Sequence, residues 1–381
     1  MQIVFFSNYF NHHQLHLADA FNAIDDVDFI FVADHTVPGF RKELGYSSFD
    51  RPYLIVLDNS EKKEEAFVLS KTADVAIFIN SSMESYLEAR LKTNKLTFLY
   101  SERWFKKKYM LNLLSPRLWR QIFTYFKFRK NKQYMLCASA YAANDYYLLG
   151  MYKNKCYKWA YFTEVNDIDI NKILQDKRQK RIKIMWCSRF IDWKHPELIV
   201  KLASKLKRDG YDFEINMFGN GPLIEDIKDK INECSLTDCV CVKGSVQNNE
   251  ILSQMRQHNV FIFTSDQNEG WGAVANEAMS NGCTLVGSDA IGSVPFLVKD
   301  GKNGFSFRSK DVNSLYGKIK ILLDDRKLCE EFAKKAYADM KNCWSPQQAA
   351  IRFVNLSKSL QGETCIHYTE GPCSLATPHK L

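Results

Sequence analysis

Short apolar runs alternate with helix-like stretches along most of the chain. In the first half, segments such as "QLHLADAFNAI" (14–24) separate five runs that predict buried strands: "IVFFS" (3–7), "FIFVA" (29–33), "YLIVL" (53–57), "VAIFI" (75–79) and "LTFLY" (96–100). After a polar stretch over 160–181, the pattern restarts with five further runs: "IKIMWCS" (182–188), "FEINMFG" (213–219), "VCVKGS" (240–245), "NVFIFTS" (259–265) and "CTLVGS" (283–288). Continuous apolar runs between helices are typical of parallel sheets buried on both faces. The pattern therefore predicts an α/β fold with two doubly wound, Rossmann-like domains.

The chain has 381 residues, which is longer than one hydrophobic core usually supports and agrees with two domains. We place an N-terminal Rossmann-like domain over 1–165 and a C-terminal one over 166–345. Pro346 suits the first turn of a helix, so a last helix is predicted over 346–360, and its place in the chain is compatible with a return to the first domain. The segment 361–381 has no periodicity and is predicted to be a flexible tail.

The segments that follow the strands are the places to look for chemistry, because ligands of open α/β sheets bind beyond the carboxyl ends of the strands. Two such domains in tandem would place these ends across one cleft. After "NVFIFTS" comes "EGWGAVANEAMSNG", in which Gly270 and Gly272 allow a ligand to approach the backbone closely. A helix that starts near Ala273 would offer free amides and a positive dipole end to an anion. This turn is therefore a candidate site for a phosphate and a sugar.

Two carboxylates frame the turn, Glu269 at its start and Glu277 about two helical turns later. Glu269 could accept hydrogen bonds from sugar hydroxyls, and Glu277 could hold both hydroxyls of a ribose, as acidic residues do in dinucleotide folds. A nucleotide sugar fits this spacing, because it has a sugar at one end, phosphates in the middle and a ribose at the other. The alternative is an exposed turn and an amphipathic helix with incidental glutamates.

Two further segments follow strands of the second half. In "WCSRFIDWKHPE", Arg189 and Lys194 flank a short loop and could converge on a diphosphate, the Arg with a planar fork and the Lys with a point charge. Their charge would matter if the diphosphate is a leaving group. In "FGNGP", a strand ends in Gly219, Asn220 and Gly221 before a helix. Each segment is a weak signal by itself, since an incidental Arg–Lys pair or a plain tight turn also explains it.

Taken in order, five segments between Ile182 and Phe307 resemble the retaining glycosyltransferases of family 4, which have the two-domain GT-B fold. The segments are "SRFIDWKHPELIVKLA", "INMFGNGPLIEDI", "VCVKGSV", "NVFIFTSDQNEGWGAVANEAMSNGCTLVGSD" and "GSVPFLVKDGKNGFSF". The two glutamates with a turn of small residues between them are this family's signature. The resemblance implies two Rossmann-like domains facing across a cleft, and transfer of a sugar from a nucleotide-sugar co-substrate with retention of configuration. No cofactor and no metal ion are expected.

The resemblance also implies roles for the matched positions. At the reacting groups it places Glu269 on the transferred sugar, and Arg189 and Lys194 on the donor diphosphate. The other donor-binding positions are Glu277 on the ribose, the loop of Gly219, Asn220 and Gly221, and the backbone of Gly270, Trp271, Gly272 and Ala273, whose amides should line the sugar and phosphate.

The first half carries weaker signals, and these concern an acceptor. The loop after the first strand contains His12 and His13, at a place where family members often have a glycine-rich loop that this chain lacks. A histidine here could touch the acceptor or the leaving phosphate, could have an ordinary capping or surface role, or could bind a metal. Glu102 follows another strand and is a candidate contact to the acceptor, with a structural ion pair as the alternative.

The net charge of +8 is unevenly spread. Residues 103–132 contain ten Lys or Arg, no Asp or Glu, and interleaved aromatic and Leu residues. This composition favours contact with anionic lipid or nucleic acid, and a solvated face with ordinary core contacts is the alternative. The eleven cysteines are odd in number and scattered, which is typical of reduced thiols in the cytosol. We expect neither a signal peptide at the start nor a spanning helix, which would need about 18 apolar residues.

These observations predict a cytoplasmic retaining glycosyltransferase that transfers a sugar to an acceptor hydroxyl. The basic aromatic segment favours a lipid-linked saccharide as acceptor, as in cell-surface polysaccharide synthesis, and is compatible with a peripheral position on the inner face of the membrane. Two alternatives stay open. A nucleotide-sugar epimerase shares the fold, and a protein that binds or glucosylates nucleic acid would also explain the charge, although nucleic acid is the less favoured partner.

Overall fold

The computed structural model describes residues 1–39, 48–79, 83–106, 115–178 and 181–379. For Arg117 only the backbone is described. The chain divides into two compact units. The first contains Met1–Glu164 and the described residues 343–379, and the second contains Val165–Asn342.

The first unit is built on a parallel seven-stranded sheet with the order β3-β2-β1-β4-β5-β6-β7. Its strands are β1 (Gln2–Ser7), β2 (Asp28–Ala33), β3 (Leu54–Val56), β4 (Val75–Ile79), β5 (Leu96–Ser101), β6 (Gln133–Cys137) and β7 (Cys156–Lys158). Within the described residues, its helices are α1 (His12–Asn22), α2 (Ser60–Thr72), α3 (Glu84–Lys92), α4 (Pro116–Lys127), α5 (Ala142–Leu148) and, near the end of the chain, α14 (Pro346–Gln361).

The central strands of this sheet are buried on both faces, which explains why their sequences are unbroken apolar runs. Every residue of β4 is buried. β1 and β4 pair in parallel with Ile3 opposite Val75, and the rings of Phe6 and Phe78 stack with their centroids 4.5 Å apart. The apolar runs therefore form the core of the unit.

The second unit is built on a parallel six-stranded sheet with the order β10-β9-β8-β11-β12-β13. Its strands are β8 (Ile182–Cys187), β9 (Phe213–Phe218), β10 (Val240–Gly244), β11 (Val260–Phe263), β12 (Thr284–Ser288) and β13 (Gly304–Phe307). Its helices among the described residues are α6 (Ile170–Arg178), α7 (Glu197–Arg208), α8 (Ile224–Glu233), α9 (Asn248–Met255), α10 (Val274–Ser280), α11 (Val294–Leu297), α12 (Val312–Asp324) and α13 (Arg326–Asn342).

The prediction of two doubly wound α/β domains is confirmed, because each sheet starts in its middle and grows outward in both directions. The order of strands reverses between β1 and β4 in the first unit and between β8 and β11 in the second. Ligands of such sheets bind outside the carboxyl ends of the strands at this switch point. The residues that follow β8 and β11 therefore occupy the place where the fold itself favours a site.

The last helix, α14, belongs to the first unit. Its Phe353 contacts three aromatic rings of that unit, with centroid distances of 5.4 Å to Phe21, 4.7 Å to Phe98 and 5.7 Å to Trp159. The chain thus returns from the second unit to complete the core of the first.

The segment after α14 is packed, so the prediction of a flexible tail is wrong for the residues up to 379. The tail runs along the edge strand β7, where Lys158 donates to the carbonyl of Ser374 at 2.8 Å and Ala376 donates to the carbonyl of Cys156 at 2.9 Å. Cys373 and Ala376 are each only 2% exposed. An isolated bridge of this kind has no periodic sequence pattern, which is why the sequence did not reveal it.

We predict that Ala376→Asp destabilises the protein by more than about 2 kcal/mol, because it buries a carboxylate with no partner. The neighbouring Leu375 is 49% exposed, so Leu375→Asp is a matched control that should change the free energy of unfolding by less than about 0.5 kcal/mol. Urea unfolding followed by circular dichroism measures both. Equal, small effects of the two substitutions would show that the tail does not pack in solution.

Candidate functional site

Three loops at one end of the second sheet carry the residues predicted from sequence. The first follows β8, the second follows β9 and the third follows β11. Because β8 and β11 flank the switch point, their loops start side by side at its carboxyl end. The backbone also joins them directly, since the amide of Asp266 donates to the carbonyl of Trp193 at 3.0 Å.

Lys194 and Glu269 form a direct ion pair, although 75 residues separate them in sequence. Lys194 ends a short 3₁₀ turn, Asp192–Lys194, and its side chain is only 11% exposed, while that of Glu269 is 12% exposed. The ammonium group also lies 4.2 Å from the centre of the Trp193 ring. Two predicted residues from separate segments are therefore brought together, and both side chains are largely buried.

Arg189 lies on the exposed side of the same aromatic ring. Its guanidinium carbon is 5.9 Å from the centre of the Trp193 ring, so the indole stands near both predicted cations. Arg189 is exposed and, in the described part of the chain, makes no ion pair with a carboxylate. Trp193 was not predicted from sequence, although its position between two cations offered a signal.

The glycines of the β9 loop allow backbone to pass against backbone. Gly219 and Gly221 have positive φ angles of 127° and 156°, and a Cβ atom on them would lie 1.9 Å from the Ser188 carbonyl oxygen and 2.5 Å from the Phe190 carbonyl oxygen. The main-chain carbonyl of the exposed Asn220 accepts a hydrogen bond from the amide of Phe190 at 2.9 Å. This loop therefore holds the β8 loop, and with it Arg189, in place.

The turn after β11 presents its backbone rather than its largest side chain. Trp271 is fully buried and donates from its indole to the side chain of Asn276 at 2.8 Å, so only its main chain can meet a ligand. Gly272 has a φ of 80°, and a Cβ atom there would lie 2.4 Å from the Phe263 ring. Gly270 is buried beside it, and Ala273 leads into α10.

Glu277, on α10, is half-buried, and burial raises its pKa to about 7. No described side chain makes a hydrogen bond or ion pair with its carboxylate. The nearby thiol of Cys187, at the end of β8, has its pKa raised to about 12 by burial and by the charge of Glu277, while the charge of Lys194 opposes this increase. Glu277 is thus an uncompensated acceptor close to the predicted diphosphate residues, as a ribose-binding carboxylate requires.

A charged cluster that sequence reasoning missed lies beside these residues. His195 follows Lys194 in the left-handed conformation, and its two ring nitrogens lie 3.0 Å from Glu197 and 3.4 Å from Asp266. Lys310 contacts the same oxygen of Asp266 at 3.1 Å. Burial alone would lower the pKa of His195, but the hydrogen bonds to Asp266 and Glu197 raise it to about 9.

The predicted acceptor residues lie in the first unit. His12 and His13 begin α1, where the side chain of Asn11 caps the helix by accepting from the amide of His13 at 2.8 Å. Burial, together with the charge of His16, lowers the pKa of His12. Glu102 makes an ion pair with Lys106 at 2.5 Å, which matches the structural alternative named for it above.

The basic aromatic segment 103–132 divides into two parts with different surroundings. Arg103 lies 3.5 Å from the buried Asp145, and Lys106 pairs with Glu102, so these two cations are not available to a surface partner. Residues 107–114 lie outside the described chain. The remaining part forms α4 and the turn after it, and only this part presents a described surface.

On α4, three aromatic side chains are exposed, while one aliphatic and one aromatic side chain pack inward. Trp119, Phe123 and Phe126 are 42%, 67% and 40% exposed, and their spacing of four and three residues places them on one face. Ile122 and Tyr125 are each 6% exposed and pack inward. The helix therefore has an inner apolar face and a second, outer aromatic stripe, which ordinary core packing does not require.

The described residues also bear on metal binding and on membrane spanning. No group of three or more His, Cys, Asp or Glu side chains in these parts of the chain is arranged to hold a metal ion. Among the helices that the structure describes, none combines the length and the apolar character needed to cross a bilayer.

Comparison with known proteins gives one family and a set of distant relatives. The family described as "Glycosyl transferases group 1" matches residues 167–339. The chain is 29% identical over 158 residues to poly(glycerol-phosphate) alpha-glucosyltransferase of Bacillus subtilis (strain 168), covering 42% of this chain and 23% of that protein. It is 26% identical over 175 residues to N-acetylgalactosamine-N,N'-diacetylbacillosaminyl-diphospho-undecaprenol 4-alpha-N-acetylgalactosaminyltransferase of Campylobacter jejuni, covering 45% and 46%. The matches thus span less than half the length of these relatives.

Among solved structures, the chain resembles Anabaena Alr3699/HepE in complex with UDP. The TM-score is 0.68 at 14% sequence identity, and the match covers 94% of this chain and 100% of that chain. At this identity the likeness concerns the fold alone, and it agrees with the GT-B class predicted from sequence.

We predict that Glu277→Gln stabilises the protein at pH 8 by roughly 3 kcal/mol and has little effect at pH 4. The pKa of Glu277 is raised from 4.5 to about 7 in the folded protein, so the wild type has its full stability below pH 4.5 and loses this contribution as pH rises through about 7. Glutamine is uncharged at both pH values and avoids the loss. Urea unfolding at the two pH values measures the difference.

The exposed Glu250 of α9 provides a matched control, since Glu250→Gln should leave stability unchanged at both pH values. A Glu277→Gln variant that is no more stable than the wild type at pH 8 would contradict the buried, unpartnered state of this carboxylate.

Proposed function

We propose that this chain, whose residues 167–339 match the family described as group 1 glycosyl transferases, transfers a sugar from a nucleotide-sugar donor to an acceptor hydroxyl with retention of configuration. Its place of action would be the cytoplasm, at the inner face of the membrane. The acceptor would be a lipid-linked saccharide in the synthesis of a cell-surface polysaccharide.

The observation that carries the proposal is the convergence of charged groups at the switch point of the second sheet. The pair of Lys194 and Glu269, the exposed Arg189 and the unpartnered Glu277 come from the ends of β8 and β11 and from α10. Two cations suit a diphosphate, one carboxylate suits the hydroxyls of the sugar, and the other suits those of the ribose.

In the proposed reaction, the acceptor oxygen forms a bond to the anomeric carbon while the bond from that carbon to the diphosphate oxygen breaks. The diphosphate leaves with the bonding electron pair, and its oxygen takes the proton of the acceptor hydroxyl on the same face, which accounts for retention. Arg189 and Lys194, rather than a metal ion, would neutralise the charge that develops on the leaving group. Glu269, held by Lys194, would orient the transferred sugar through its hydroxyls.

We predict that Arg189→Ala and Lys194→Ala each lower kcat by roughly 10²-fold or more, with a smaller change in the KM for donor, because both charges act on the departing diphosphate. A panel of nucleotide sugars, with and without lipid-linked acceptor, identifies the donor by release of nucleoside diphosphate. Lys334→Ala, which removes an exposed cation on α13, is the matched control and should keep full activity.

The donor panel also tests the proposal as a whole. Release of a nucleoside diphosphate that requires an acceptor would support transfer, whereas conversion of one nucleotide sugar into another without release would favour the epimerase. Intact kcat with only a higher KM would reduce Arg189 and Lys194 to binding residues.

The lipid-linked acceptor is supported by the outer face of α4 and by one relative. Beyond the aromatic stripe of Trp119, Phe123 and Phe126, the turn after α4 carries Arg129, whose guanidinium lies 3.6 Å from the centre of the Phe126 ring. Aromatic rings flanked by cations are suited to the interface of an anionic bilayer. The name of the Campylobacter relative includes a diphospho-undecaprenol acceptor, which is a lipid of this kind.

We predict that replacing Trp119, Phe123 and Phe126 together by Ser weakens binding to vesicles of phosphatidylglycerol and phosphatidylcholine by roughly tenfold or more. In a matched control, Ser replaces Val68 and Leu148, which are 45% and 78% exposed elsewhere in the same unit. This control variant should bind the vesicles as the wild type does. Vesicle flotation at physiological salt measures binding.

Two results would count against membrane docking. Equal vesicle binding by the wild type and the triple variant would exclude the aromatic stripe as the contact. Binding to duplex DNA that falls steeply with salt, and that is lost when Lys127, Arg129 and Lys130 are changed to Glu, would favour the nucleic-acid alternative.

A further inference from the structure

His195 has an unfavourable backbone conformation, which contacts of its side chain stabilise. Its φ and ψ are 50° and 53°, the left-handed region that residues with a Cβ atom rarely adopt. The residue directly follows Lys194, so any change in its backbone would move the Lys194 side chain. Strained residues of this kind persist only where surrounding contacts hold them.

The contacts that hold His195 are two carboxylates on opposite sides of its ring. Nδ1 lies 3.0 Å from Glu197 Oε1 and Nε2 lies 3.4 Å from Asp266 Oδ2. A neutral imidazole has one donor and one acceptor nitrogen, so it would direct a lone pair at one of these oxygens. Only the imidazolium donates to both, and the geometry therefore requires a charged ring.

Asp266 connects this ring to the loop that carries Glu269. Its backbone amide donates to the carbonyl of Trp193, and its own carbonyl accepts from the amide of Glu269, both at 3.0 Å. Its side chain accepts from the amide of Asn268 at 2.9 Å. The residue is 5% exposed, so it is a rigid connection between the turn before Lys194 and the turn before Glu269.

We propose that His195 is a positioning residue, whose imidazolium ties the Asp192–Lys194 turn to Asp266 and so fixes Lys194 against Glu269 at the donor diphosphate. The proposal rests on the proposed function, because it assigns His195 to the same donor site. His195 itself touches no reacting group and acts through Lys194.

The charged groups around the ring account for its charge at neutral pH. The described charged groups that face it or its partners are Glu197 at the start of α7, Lys201 one turn later, Lys230 on α8, Asp266 and Lys310 beyond β11 and β13, and the pair of Lys194 and Glu269. The two carboxylates in direct contact outweigh the more distant cations. Deprotonation of the ring, with a pKa of about 9, should therefore release the connection.

The test uses His195→Gly, because glycine adopts the left-handed backbone without strain and removes only the ring. Ser235 is exposed and also has a positive φ, of 52°, so Ser235→Gly is the matched control for relief of strain. The probe is UDP, measured by titration calorimetry between pH 7 and 10, with Lys194→Ala as the reference for loss of the site. In addition, carbon-13 labelled histidine allows the titration of the His195 ring to be followed by NMR without any ligand.

We expect His195→Gly to bind UDP roughly tenfold more weakly at pH 7.5 while it stays folded, which its circular dichroism spectrum at the same pH checks. The wild type and Ser235→Gly should lose affinity between pH 8 and 10, and this step should be absent from His195→Gly. The NMR titration should give His195 a midpoint near 9 that drops in Asp266→Asn.

Wild-type affinity and an unchanged pH profile in His195→Gly, alongside a loss in Lys194→Ala, would overturn the positioning role and leave the proposed function standing. An ordinary His195 midpoint near 6.5 would also overturn it, whether or not UDP binds. If neither UDP nor any donor of the panel binds the wild type, the proposed function fails, and the inference fails with it.

Discussion

The arrangement of the site depends on one constraint, which is the reversal of strand order between β8 and β11 in a sheet buried on both faces. The chain leaves β8 toward α7, which packs with α12, and leaves β11 toward α10, which packs with α13. The loops that make these turns start next to each other and then diverge. Polar side chains gather there because the strands and helices on either side are filled with apolar residues.

Two buried lysines of the second unit, Lys177 and Lys194, differ in the partners of their ammonium groups. Lys177 is 4% exposed and donates to the carbonyls of His258 and Gly282 at 2.7 and 2.8 Å, so its donors are used within the protein. Lys194 is similarly buried, but its partner is the carboxylate of Glu269. A bound diphosphate can compete with a carboxylate for an ammonium group, whereas it gains little from displacing a pair of carbonyls. Burial alone therefore does not distinguish a lysine that could bind a diphosphate from a structural one, whereas the kind of partner does.

The sequence predicted most of the fold, for reasons that also explain what it missed. Ten strands were visible because each is an apolar run, but β6, β7 and β13 were not. β7 has three residues, β13 has four with a glycine and a serine among them, and β6 follows directly on the basic segment. Short edge strands are stabilised by their neighbours rather than by their own pattern, so periodicity does not reveal them.

At the site, residues within short sequence segments could be named from the sequence, whereas contacts between residues far apart in the chain could not. Arg189, Lys194, Glu269 and Glu277 could be named because their spacing along the chain resembles a known family. The partnership of His195 with Asp266 joins residues 71 positions apart through a left-handed backbone, and neither feature is written in the local sequence.

Asp266 and Glu277 show how one site can hold two carboxylates in opposite states. Both are removed from water, and burial by itself would raise the pKa of each. Hydrogen bonds from His195, the Asn268 amide and Lys310 overcome this effect at Asp266 and hold its pKa well below the usual range. Glu277 has no such donors among the described side chains, and its pKa rises to about 7. Asp266 is therefore committed to the protein's own structure, while Glu277 gains most from donors that a ligand brings, such as the hydroxyls of a ribose.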